Sequence, residues 1–247
     1  AFDKVTGSVK YAISDELAGY ASPVTATVDE RRWCFAFCRG GLLAFNPRDG
    51  EIDFHYPWRA DMLESVNASS PVVVGNEVFI SEAYAFGSSL LRVKQGGYDI
   101  VWRDDANRRQ KALKAHWNTP VYHEGHLYGG SRRNAPDAEL RCVEWRTGNV
   151  MWSVRTRAHT SLLLVDGHLV CLDERGKLSL IRAAPQSCEV VAEATLREGD
   201  SDPDLEASGT GQLLRYPCWA APILSHGLLY VRGRDRLLCL ELIEERG

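Results

Sequence analysis

The densest run of chemistry-bearing side chains is "EGDSDPDLEASG" at 198–209, where Asp200, Asp202, Asp204 and Glu206 alternate as carboxylates do at the start of a calcium loop. Calcium takes six to eight oxygen ligands from such a loop, which also needs a Gly for its sharp turn and a bidentate Glu at its twelfth position. Here Leu205 stands in the place of the Gly and no Glu arrives at the twelfth. A solvated insertion is the better expectation, with Asp200, Asp202 and Asp204 as a weak metal candidate only.

The seven cysteines include no C-x-x-C pair, and Cys34, Cys38, Cys142, Cys171 and Cys239 fall in strand-like apolar runs. Buried structural thiols are expected, since zinc-ligand spacing is missing. Cys34 and Cys38 in "CFAFC" would share a strand face about 13 Å apart, too far for a disulfide. His123, His126, His168 and His226 sit beside turns, and no G-x-S-x-G, P-loop or H-E-x-x-H motif occurs.

These residues must be positioned by strands. A chain of 247 residues with 45% apolar and 25% charged residues is ordinary for a globular protein. Its net charge of -4, with scattered Lys and Arg, points away from nucleic acid and from a polybasic membrane segment. No run of 18 apolar residues and no signal-peptide pattern is visible.

One unit recurs along the chain. Gly7 is followed four residues later by Tyr11, Gly50 by Phe54 and Gly148 by Trp152, and a less regular copy ends on Trp102. Ahead of these hairpins comes a small residue, Pro, an apolar run and a turn, as in "ASPVTATV", "SSPVVVGNEVFI", "NTPVYHEGHLY" and "AAPILSHGLLY"; "TSLLLVDGHLV" lacks the Pro. Turn pairs such as Glu124-Gly125, Asp166-Gly167 and His226-Gly227 close tight hairpins. Helix signals are confined to 108–115 and 14–18.

Four-stranded units at a period of 40–50 residues predict an all-β fold, a β-propeller of four-stranded antiparallel blades. The expected layout is a single propeller domain over 1–247. It has a partial outer blade at 1–13, full blades at 20–58, 67–105, 116–155 and 159–196, an insertion at 197–216 and a closing blade at 219–247. That makes five to six blades. Tyr11, Phe54, Trp102 and Trp152 are the expected docking aromatics, each packing on the next blade.

"KVTGSVKY", "EWRTGNVMW" and the preceding "SPV…G…V/LY" elements resemble the repeats of pyrroloquinoline-quinone-type (PQQ-like) propellers and their tryptophan-docking motif, L-x-x-x-D-x-x-T-G-x-x-x-W. The chain is also similar, more distantly, to the propeller lipoproteins of outer-membrane protein assembly. The resemblance implies eight-bladed relatives, so that this chain would be a fragment or a reduced member, and a periplasmic or secreted location. It also implies, as one option, a quinoprotein dehydrogenase acting on alcohols or sugars with PQQ beside calcium held by Glu, Asn and Asp. No Cys-Cys pair, haem motif or matching metal segment is found here.

In such a propeller the residues just before each Pro marker lie near one rim of the central channel. Tyr20, Asn67, His116, Trp117, Asn118, His159 and Trp219 are therefore the candidate ligand-binding set, suited to a sugar or a peptide. The expectation is a non-catalytic binding or scaffolding module of the cell envelope, without cofactor, catalytic residues or nucleic-acid partner. Its ligand would be a protein, carbohydrate or peptide.

Overall fold

The computed structural model describes residues 1–107, 109–197 and 211–242, and every structural statement below concerns these. They divide into two compact units, one of residues 1–119 with 146–148 and one of residues 120–145 with 149–247.

The first unit holds two antiparallel sheets whose strands follow one another in chain order. The first sheet comprises β1 (Val24–Val28), β2 (Arg31–Phe37), β3 (Gly41–Phe45) and β4 (Ile52–Pro57). β5 (Val72–Val74), β6 (Glu77–Ser81), β7 (Ser88–Lys94) and β8 (Gly97–Arg103) form the second. Sequential meanders of this kind need only tight turns, and the sequence supplies them. The β1–β2 turn differs in carrying no glycine, because Asp29 and Glu30 themselves take φ of 48° and 62°. Trp33, Phe35, Phe37 and Tyr56 from the first sheet, Trp58 just after it, and Val78, Ile80 and Leu91 from the second form one buried cluster. The facing sheets thus bury a shared aromatic core, the dominant stabilising term.

The second unit holds three further sheets. β9 (Val121–His123), β10 (His126–Ser131), β11 (Glu139–Glu144) and β12 (Val150–Arg155) form one, with a 3-10 turn at Ala135–Asp137. β13 (Thr160–Val165), β14 (His168–Asp173), β15 (Lys177–Arg182) and β16 (Glu189–Thr195) form the next. The last has three described strands, β17 (Ile223–Ser225), β18 (Leu228–Arg232) and β19 (Leu237–Glu241). Tyr128, Leu140, Cys142, Leu162, Leu169 and Cys171 pack in one cluster. Leu172, Leu178, Leu214, Cys218, Leu229 and Val231 pack in another.

Each four-stranded sheet carries the same irregularity. Where the third strand pairs with the fourth, the register slips by one residue: Ala44 faces Phe54 but Phe45 faces Ile52. The slip recurs at Leu90/Leu91, Cys142/Val143 and Leu180/Ile181. A bulge of this kind re-aims the side chain beside it. In three sheets that side chain is Phe54, Trp102 or Trp152, and in the fourth it is Ala192.

Two expectations fail. Neither 109–115 nor 14–18 is helical; in the first segment the backbone N–H groups of Ala112 and Ala115 are taken by the side chains of Asp104, just after β8, and Ser81, at the end of β6. Cys239 is exposed, since β19 is the outermost described strand of its sheet. Cys34, Cys142, Cys171 and Cys218 are buried, and burial pushes the thiol of Cys171 up to about 12 and those of Cys142 and Cys218 up to about 11. They stay protonated at neutral pH and act as small apolar groups.

Candidate functional site

The docking aromatics are the simplest part of the framework. A Cβ on Gly50 would fall 2.8 Å from Cδ2 of Tyr11, whose hydroxyl donates to the carbonyl of Pro47 at 2.8 Å. A Cβ on Gly148 would meet the six-membered ring of Trp102 at 3.0 Å. Both glycines also have positive φ, 84° and 73°, so the turn and the aromatic seat demand glycine independently. Phe54 meets Tyr98 with ring centroids 4.8 Å apart, and Trp152 donates its indole N–H to the carbonyl of Ala184 at 2.9 Å.

Five of the rim candidates lie in the first unit. Asn67 is 2% exposed and its amide donates to the carbonyls of Cys38 (2.8 Å), Trp58 (2.9 Å) and Arg39 (3.4 Å). Its own carbonyl accepts from the backbone of Tyr20 at 2.8 Å and of Ala21 at 3.3 Å. One buried residue thereby ties the β2–β3 turn and the end of β4 through its side chain, and the entry to β1 through its backbone carbonyl. Gly19 passes so close that a Cβ would stand 2.6 Å from the carbonyl of Phe37. Tyr20 is 79% exposed beside this knot.

His116, Trp117 and Asn118 end the linker from β8. The ring of His116 lies edge-on to Tyr84 at 5.7 Å and 4.7 Å from that of Trp117, while Asn118 Oδ1 accepts its backbone N–H at 3.2 Å. The linker is held down upstream of them. Asp104 accepts the backbone N–H groups of Ser88 (2.8 Å) and Ala112 (2.6 Å). Buried Lys111 donates to the carbonyls of Asp104 (2.6 Å), Phe86 (2.9 Å) and Asp105 (3.0 Å). Burial pushes the Asp104 carboxyl up to about 6, against the opposing pull of those two N–H groups and of Lys111. Glu82, also buried, caps the N–H groups of Tyr84, Ala85 and Gly87.

The other two rim candidates lie in the second unit, around Glu174. His159 Nε2 stands 2.9 Å from the carbonyl of Arg133, an acceptor only, which fixes a proton on that nitrogen. Its Nδ1 faces Glu174 Oε2 across 3.2 Å. Trp219, 48% exposed as a residue, donates its indole N–H to the same oxygen at 3.3 Å. Asp200, Asp202 and Asp204 lie outside the described residues.

Glu174, Lys111 and Asp104 escape sequence reasoning because none stands at a marker position. Only their place near the ends of apolar runs could have drawn attention to them.

The family model for outer membrane protein assembly factor BamB matches residues 1–153. The chain belongs to this family. Members are thus the first comparison, and the crystal structure of BamB from Moraxella catarrhalis superposes with a TM-score of 0.59 at 14% identity, over 93% of this chain and 59% of that one. The computationally designed Ika8 protein superposes at 0.55 and 9% identity, over 87% of this chain and 57% of that one. The chain spans less than two thirds of the length of either structure. No curated protein sequence matches it. At these identities the likeness establishes the fold, an all-β propeller built of four-stranded antiparallel blades. No helix among the described residues is long and apolar enough to cross a membrane.

Proposed function

We propose that this BamB-family propeller is a non-catalytic binding and scaffolding module of the cell envelope, periplasmic or secreted, that acts through protein partners. The observation that carries this reading is the family match over residues 1–153 to an outer membrane protein assembly factor.

The side chains support it. The resemblance to quinoprotein dehydrogenases implies, for a quinone site, a metal ion held by a Glu, an Asn and an Asp. The buried amide at a rim position, Asn67, is committed to three backbone carbonyls, and buried Glu82 caps three backbone N–H groups. Both side chains are thus engaged with backbone rather than open to a metal ion beside a quinone, which supports the non-catalytic reading. What the framework secures instead is a set of rigid loop ends, the usual place for recognition on repeat folds.

The test is titration of the purified chain with pyrroloquinoline quinone and calcium, read by quinone absorbance and by dye-coupled oxidation of alcohols and sugars, beside affinity capture from envelope extract. Specific capture of a protein with no quinone binding is expected. Stoichiometric quinone binding with turnover would overturn the reading in favour of an oxidoreductase.

A further inference from the structure

We propose that the Tyr216–Trp219 face of the second unit docks an acidic segment of a protein partner. This rests on the scaffolding reading and gives it a place and a chemistry. The segment before β17 alternates between core and solvent: Leu214 and Cys218 are buried, whereas Tyr216 is 56% and Trp219 48% exposed. The two exposed rings meet edge to face, with centroids 6.2 Å apart and an 82° interplanar angle.

The position of Trp219 is held by hydrogen bonds. Glu174 accepts the indole N–H of Trp219, Ser161 Oγ donates to the Trp219 carbonyl at 3.1 Å, and the Cys218 N–H is bonded to the Glu174 carbonyl at 2.9 Å. Rigid aromatic side chains with a fixed polar edge offer contact area at little cost in conformational entropy, which is why they dominate interface hot spots.

Charge selects the occupant. Arg215 has a side chain 62% exposed and pairs only loosely with Asp235, at 3.8 Å. Arg234 is brought alongside by its backbone N–H, which donates to the Arg215 carbonyl at 3.0 Å. Exposed Arg175 belongs to a turn pressed on the same segment, since a Cβ on Gly176 would stand 2.7 Å from the carbonyl of Leu214. Exposed arginines thus lie on this segment (Arg215), on backbone bonded to it (Arg234) and on a turn packed against it (Arg175), on a chain whose net charge is -4. A sugar could stack on the rings but would offer these arginines no carboxylate beyond that of Asp235. An acidic peptide bearing apolar side chains satisfies both.

Fluorescence anisotropy of a labelled twelve-residue Glu/Phe peptide, titrated with the full chain, tests this against a Lys/Phe peptide of equal length. Saturable binding of the Glu/Phe peptide alone is expected, weakening steeply with salt. Tyr216→Ala and Arg215→Glu should each weaken it on the order of tenfold. Among the described residues these two side chains make only the surface Arg215–Asp235 pair and the Tyr216–Trp219 ring contact, so both variants should fold, as circular dichroism would verify. Trp219→Ala also loses the Glu174 contact and serves as a secondary variant.

Equal binding of the Lys/Phe peptide, displacement by maltohexaose, no saturable binding, or indifference to both variants would overturn the assignment. Affinity capture separates the two levels. If Arg215→Glu retains the wild-type partners, this face is wrong while the scaffold stands; quinone turnover by the wild type sinks the scaffold itself.

Discussion

Two linkers of the first unit solve one problem with different chemistry. Both must leave a fourth strand, cross the end of a sheet and enter the next first strand while keeping their backbone groups bonded. The linker after β4 does so through the neutral amide of Asn67, which reaches three carbonyls. The linker after β8 uses charge, with Lys111 on three carbonyls and Asp104 on two N–H groups. An amide is indifferent to pH, whereas a buried carboxylate is not. The two linkers should therefore differ in how they fail.

The largest expected effect lies on the amide side. Asn67→Ala leaves the carbonyls of Cys38, Arg39 and Trp58 without this donor in a buried setting, at a cost on the order of 4 kcal/mol. Gly19→Ala attacks the same knot sterically, because backbone oxygens of Phe37 and Asn67 would stand 2.6 and 2.7 Å from the new Cβ. Urea denaturation of both variants should show comparable losses, and equal losses at pH 4 and pH 7. A loss that shrinks at either pH would mean that the knot is coupled to a titrating group.

On the charged side, Lys111→Met keeps the aliphatic stem but removes three donations to carbonyls, two of them at 2.9 Å or less. The expected cost is about 3 kcal/mol, somewhat below that of Asn67→Ala, because the linker rim is closer to water. If Lys111→Met melts with the wild type, the cation is dispensable and the contrast between the linkers collapses.

How much of this was open to a reader of the residues alone follows the range of the interactions. Strand alternation, turn glycines and the aromatic four residues after a glycine are local, and the sheets follow them. The bulge at each third-to-fourth strand pairing was hidden, since it depends on cross-strand register. The composition of 108–115 suggested a helix, yet Ala112 and Ala115 give their N–H groups to Asp104 and Ser81, the latter 34 positions away. Asn67 was marked by its place before Ser-Pro, but its bond to Cys38, 29 positions distant, leaves no sequence signal. Polar knots are built from such distant partners, and so are the site residues they hold.

The smallest effect sharpens the contrast most. Burial raises the Asp104 carboxyl from 3.8 to about 6, so between those values the folded chain binds more protons there than the unfolded chain. The resulting stability is fully present below pH 3.8 and is lost as pH rises through about 6, an amount of roughly 2 kcal/mol once residual solvent access is allowed for. Asp104→Asn keeps one acceptor and abolishes the titration. Subtracting its urea stability from that of the wild type across pH 3.5–7 should leave a difference that falls with rising pH and levels off above about 6. The same subtraction with Asn67→Ala should be flat, and a flat result for Asp104→Asn would place both linkers in one neutral class.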